Sequence, residues 1–143
     1  MLCSMGASLR KAFEKARSEA LGSPVQFRHG AVLFRRGKVF ASGCNKYRTV
    51  FWAWNNDRDN IKFTLKDTSG IRLNNMHAEI AAMHGIPRAT IIGKDIFVTR
   101  VNKAGVCMNS GPCRSCIHNM KKKGIRRCYF TLSSDTFSYL DMT

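Results

Sequence analysis

A three-layer α/β/α fold around a central mixed sheet is what this sequence predicts, and three observations predict it. Gly30-Ala31-Val32-Leu33-Phe34 and Val39-Phe40-Ala41-Ser42 flank Arg35-Arg36-Gly37-Lys38, the pattern of a β-hairpin with glycine at its turn. Both runs are apolar at consecutive positions, so such strands are covered on two faces and helices should pack above and below them. After the hairpin, helical and strand patterns alternate, which layers helices on a sheet. With 143 residues, 44% of them apolar, the chain is long enough for one core, and residues 1–143 are expected to form a single domain.

The first helix should run from Ser8 to about Leu21. Leu9, Ala12, Phe13, Ala16 and Ala20 recur at helical spacing, with Arg10, Lys11, Glu14, Lys15 and Arg17 between them. Gly22-Ser23-Pro24 ends it. The hairpin follows and runs into Gly43-Cys44-Asn45. Residues 46–75 then lose periodicity and become polar, basic and aromatic, a functional loop or one holding a short strand where Ile61, Phe63 and Leu65 alternate with polar residues. A second helix is expected from near Met76 to Gly85-Ile86-Pro87, and a strand over Asp95–Val101. Asn102–Gly111 reads as a loop leading to Pro112 at the start of a third helix, Cys113 to Lys123, stopped by Gly124. Arg126–Leu132 is a fourth strand, and residues 133–143 read as a polar tail with Phe137, Tyr139 and Leu140 as docking points.

The chemistry lies at the starts of the second and third helices. His77, Cys113 and Cys116 offer one nitrogen and two thiolates for a tetrahedral zinc, which leaves the fourth position open for water. An open position is the mark of a catalytic metal. Glu79, two residues after His77, falls in the first helical turn, where its carboxylate can lie beside the metal without ligating it. Both halves of the site sit at positive helix ends, which favour thiolates. The order H-x-E then P-C-x-x-C, here His77-Ala78-Glu79 and Pro112-Cys113-Arg114-Ser115-Cys116, is the signature of the zinc deaminases.

Six cysteines in a short chain suit either disulfides or metal. Met1-Leu2-Cys3-Ser4-Met5-Gly6 lacks the apolar stretch of a signal peptide, and no run approaches a membrane span, so a soluble, intracellular, cytoplasmic protein is expected. In that reducing setting ligation is the better use of Cys113 and Cys116. Cys128 reads as core. Cys44, Cys107, His29, His84 and His118 show no ligand spacing and read as structural.

With those motifs placed after a hairpin ending in Gly43-Cys44-Asn45, the chain resembles the cytidine and deoxycytidylate deaminase superfamily over roughly residues 25 to 132. Within it, Asn109-Ser110-Gly111-Pro112-Cys113 and Lys122-Lys123-Gly124-Ile125-Arg126 look most like small viral and phage deoxycytidylate deaminases. The resemblance implies that Asn45 contacts the sugar or base of the substrate. It implies a homo-oligomer. It also implies a reaction in which zinc activates water for attack on C4 of cytosine while Glu79 moves protons to N3 and to the departing amine. Lys46 stands where many deoxycytidylate deaminases carry glycine, in a loop linked there to allosteric binding of dCTP and dTTP.

A formal charge of +15 adds a positive field that attracts phosphate-bearing partners and excludes none of them by itself. Three readings accommodate it. The first is a deaminase of dCMP, with dCTP a further candidate, using Lys46, Arg48 or Arg72 for the phosphate. The second is a polynucleotide deaminase, acting on tRNA adenosine or single-strand cytosine, with Phe51-Trp52-Ala53-Trp54 beside Arg48 and Arg58 stacking on bases. A third is a zinc-stabilised nucleic-acid-binding module without turnover, against which Glu79 argues, since a structural zinc has no use for a carboxylate beside an open position. The basic residues are scattered over the first helix, the hairpin turn, the long loop and the third helix, which favours a small nucleotide site over a polynucleotide track.

Overall fold

In the computed structural model, residues 5–46 and 76–143 are described. The proposed short strand at Ile61–Leu65 therefore lies outside them, as do Arg48, Arg58, Arg72 and the Phe51–Trp54 aromatics. The chain begins with helix α1 (Ala7–Leu21), then strands β1 (Arg28–Arg35) and β2 (Lys38–Cys44). Helix α2 (Ala78–Met83), a one-turn helix α3 (Arg88–Ile91), β3 (Asp95–Val101), β4 (Cys107–Met108), helix α4 (Arg114–Lys123), β5 (Arg127–Thr131) and β6 (Phe137–Asp141) follow. The sheet order is β2-β1-β3-β5-β6, with β4 paired to β3. Strands β3 and β5 are parallel and every other pairing is antiparallel, so the sheet is mixed, as the sequence predicts.

The hairpin closes with Arg35 opposite Lys38, which leaves two turn residues. Arg36 and Gly37 both take positive φ, 46° and 81°, the geometry that matches strand twist and that glycine adopts without strain. Period-two alternation then divides β1 between two layers. Ala31 and Leu33 join a core with α2, α4, Ile96 and Val98, while Val32 and Phe34 join a second core with Phe13, Ala16 and Phe97 under α1. Helices thus cover both faces. Edge strand β2 is only half-buried along most of its length, so the two-sided burial expected of both hairpin strands holds fully for β1 alone.

Helix α1 reaches unusually close to β1. A Cβ at Gly30 would overlap the Ala16 carbonyl oxygen and the Ala20 amide nitrogen, backbone atoms that cannot swing aside. Gly30→Ala is therefore expected to lower stability by about 3 kcal/mol through overpacking. The check is the urea midpoint at unchanged slope, and a midpoint equal to wild type would show that α1 can ride further from the sheet.

Four boundaries differ from the sequence reading. Met76 pairs by backbone with Lys46 in an isolated bridge, so α2 starts at Ala78 with His77 as its N-cap. Cys113 is the N-cap of α4, so Pro112 precedes the helix and does not form its first turn. The loop after β3 contains β4, which folds back on Arg100 and Val101. Residues 137–141 form an edge strand on β5, where a tail was expected, and Met142 is buried behind it. Its residues alternate weakly, so only hydrogen bonding to β5 distinguishes it from a tail. Among the described residues no helix is long and apolar enough to cross a membrane.

Candidate active site

The site lies at the carboxyl ends of β2, β3 and β5, the end of a sheet where ligands bind in α/β folds. The opposite end is closed by the Asp95 carboxylate, which accepts from Arg126 Nε and Nη2 at 2.9 and 2.8 Å, with Arg35 at 3.8 Å.

Two helix starts converge there. His77 caps α2 and Cys113 caps α4, with Cys116 one turn further on. A network of buried hydroxyls anchors the loop that carries Cys113. Ser110 Oγ donates to the Val98 carbonyl at 2.9 Å and accepts from the Thr131 amide at 3.0 Å, while Thr131 Oγ1 donates to the Met108 carbonyl at 2.8 Å. The loop is thereby tied to both parallel strands.

His77 Nδ1 and the sulfurs of Cys113 and Cys116 all lie within 4.8 Å of one another. The nitrogen is 3.2 Å from Cys116 Sγ and 3.5 Å from Cys113 Sγ. In a tetrahedron with zinc–sulfur and zinc–nitrogen bonds of ordinary length that separation is about 3.5 Å, so the donor set fits zinc in type and in spacing. The thiols share a proton unequally. The Cys116 contact, helped by His77, holds the Cys113 thiol down to about 3, while the same contact and burial push Cys116 up. Cys113 is a thiolate ready to ligate.

Glu79, the second residue of α2, is 4% exposed and stands outside the three-atom cluster. Burial pushes its carboxyl up from the ordinary range, partly opposed by His77. A cavity of about 380 Å³ opens onto it, lined among others by His77, Glu79, Cys113, Asn45, His29 and Arg100.

Asn45 reaches this cavity, as the resemblance implies, and it also organises the wall. Its Oδ1 accepts from the His29 amide at 2.9 Å and from Ser23 Oγ at 2.6 Å, and its Nδ2 donates to the Phe27 carbonyl at 2.6 Å. One amide proton is left for a ligand. His29, read as structural from sequence, lines the cavity too. Its Nδ1–H donates to the Phe27 carbonyl at 3.0 Å, which turns Nε2 into an acceptor, and burial lowers its pKa. Arg100 is the other residue missed. The signal was available in alternation: His29 continues the face of Ala31 and Leu33, and Arg100 that of Ile96 and Val98, so both project into the layer that contains α2. Lys46, by contrast, is exposed and takes no part in the cavity wall.

Residues 6–132 match the family model described as the cytidine and deoxycytidylate deaminase zinc-binding region. The chain belongs to that family. It is accordingly a deaminase of the cytidine and deoxycytidylate type, with a His/Cys/Cys cluster positioned for zinc. No curated protein matches it by sequence. Among solved structures it is similar in fold to the dCMP deaminase of cyanophage S-TIM5 in apo form, at 18% identity over 92% of this chain and 88% of that one, with a TM-score of 0.55. The same phage enzyme in complex with dCMP and dUMP gives 19% identity, 90% and 84% coverage and a TM-score of 0.54. Cytidine deaminase from Burkholderia pseudomallei gives 17% identity, 96% and 94% coverage and a TM-score of 0.60. Those likenesses agree with the α/β sheet and its helical layers.

Proposed function

We propose that residues 1–143 act as one zinc-dependent deaminase domain that converts a cytosine mononucleotide, dCMP first and dCTP as a further candidate, to the uracil nucleotide and ammonia. The observation that carries this reading is the convergence of His77 Nδ1, Cys113 Sγ and Cys116 Sγ beside a buried carboxylate that opens onto a cavity of nucleotide-compatible size. In fold the chain is similar to a phage enzyme crystallised with dCMP and dUMP, which supports the nucleotide assignment.

His77, Cys113 and Cys116 would hold the metal, which when bound supplies an activated water at neutral pH. Glu79 takes the proton released from that water and delivers it to N3 of the cytosine ring as C4 is attacked. It then takes the proton of the new C4 hydroxyl and passes it to the amine, so that the C4–N bond breaks, ammonia leaves and C4 becomes the carbonyl of uracil. Proton transfer in both directions requires a carboxyl group near the reacting atoms and off the metal. Asn45, with one amide proton unspent and its orientation locked by Ser23, Phe27 and His29, would bind the sugar or the base.

The +15 charge supports a second reading, deamination of single-stranded polynucleotides. Salt dependence separates the two. A single-strand binder that neutralises Z phosphates loses affinity with a log-log slope of about −0.7Z, whereas a mononucleotide engages few charges. The expected result is efficient dCMP turnover whose kcat/KM falls only weakly from low to physiological salt. Steeply salt-dependent deamination of an oligonucleotide with none of dCMP would replace this reading with the second.

A further inference from the structure

We propose that Arg100, laid against the Phe27 ring at the cavity wall, recognises the phosphate of the substrate and makes the site select nucleotides over nucleosides. The inference rests on the deaminase reading above for the substrate's other end.

Arg100 sits opposite His29 in the β1–β3 register, so the two side chains leave the same face of the sheet, and both line the cavity that holds His77, Glu79 and Cys113. Its environment is unusual for a half-buried guanidinium. Lys15 pairs with Glu19, and Arg35 and Arg126 pair with Asp95. The Arg100 side chain has no ion pair and no hydrogen bond among the described residues. Its guanidinium lies over the ring of Phe27, whose centroid is 5.1 Å from the guanidinium carbon.

Stacking on an aromatic face orients the planar fork without using any of its five N–H donors. A guanidinium cannot shed its charge, and among the described residues no carboxylate pairs with it, so an anion carried by the substrate suits this place. The carboxylate in the cavity wall, Glu79, is 4% exposed and not paired with Arg100. The cavity therefore offers two chemically distinct places: the metal-ligand cluster with Glu79 for the reacting base, and an oriented, donor-rich cation for an oxyanion. Phosphate suits such a fork because it accepts two parallel N–H bonds. Phe27, 56% exposed, is free to hold the guanidinium without closing the cavity.

The test uses the zinc-loaded full chain and two ligands that cannot turn over, dUMP and deoxyuridine, titrated by calorimetry into wild type, Arg100→Gln and Arg100→Lys. Hydrogen bonds to a charged group predict a loss of dUMP affinity of about 10- to 100-fold in Arg100→Gln, with deoxyuridine unchanged and a smaller loss in Arg100→Lys. Inorganic phosphate should compete with dUMP for wild type and no longer for Arg100→Gln. Lys122→Ala, which removes an exposed cation on α4, should leave the ratio of the two affinities alone and so separates a local contact from the general positive field. Circular dichroism of the variants establishes that β3 still folds, and a misfolded Arg100→Gln leaves Arg100→Lys and phosphate competition to decide. Equal weakening of dUMP and deoxyuridine, or a wild type that binds both alike, overturns the proposal. A wild type that binds dUMP through Arg100 yet releases no ammonia from dCMP leaves the phosphate contact standing and defeats the deaminase reading instead.

Discussion

Glu79→Gln is expected to lower kcat on dCMP by about 10²- to 10⁴-fold or more while the protein keeps its full complement of zinc. The substitution preserves the shape of a side chain that is 4% exposed at the start of α2, so the surrounding core has no cavity to fill. It removes the capacity to accept and return a proton, which the amide lacks. The metal should stay because His77, Cys113 and Cys116 form the ligand cluster without Glu79. Steady-state kinetics paired with elemental analysis of the same sample gives the answer. If the variant loses its zinc along with its activity, Glu79 belongs to the metal's support and not to the proton path; a kcat within a few-fold of wild type would remove it from the mechanism altogether.

Cys113→Ala carries the second large effect, a fall from about one zinc per chain to a small fraction together with loss of deamination to background. Cys113 is the ligand already poised as a thiolate, and it sits at the N-cap of α4, so its removal takes away both a sulfur and the partner that organises Cys116. The remaining His77 and Cys116 would offer two donors where a catalytic zinc takes three. Because metal binding couples to folding, the comparison needs circular dichroism beside the zinc content. Cys107→Ala, at a buried thiol outside the cluster, is the control and should retain metal. Chelation should abolish wild-type activity and added zinc restore it. Metal-free Cys113→Ala that still turned over dCMP would sink the ligand assignment.

Much of the layering was legible because its signals are local. The apolar run Gly30–Phe34 in β1 announces burial on two faces, and Asp95–Val101 was bounded correctly because Ile96-Phe97-Val98 forms the same kind of run and is buried throughout. The His77, Cys113 and Cys116 cluster was legible for a different reason: a metal demands particular donor atoms at particular spacings, and few residue types can supply them. What failed were features that need a partner strand. Phe137–Asp141 alternates too weakly to declare itself, and it is a strand because β5 offers an unpaired edge. Met76 looked helical and pairs with Lys46 instead.

The sequence by itself determined the fold class, the three donors and the carboxylate beside them, since each depends on residue identity within a few positions. Only the tertiary structure decided what surrounds them. His29 and Arg100 lie 71 positions apart in the numbering and meet because β1 and β3 pair antiparallel in one register, in which a one-residue slip would put the two side chains on opposite faces of the sheet. That register follows from the packing of both cores against one sheet, a property of the whole chain that no short stretch of it contains.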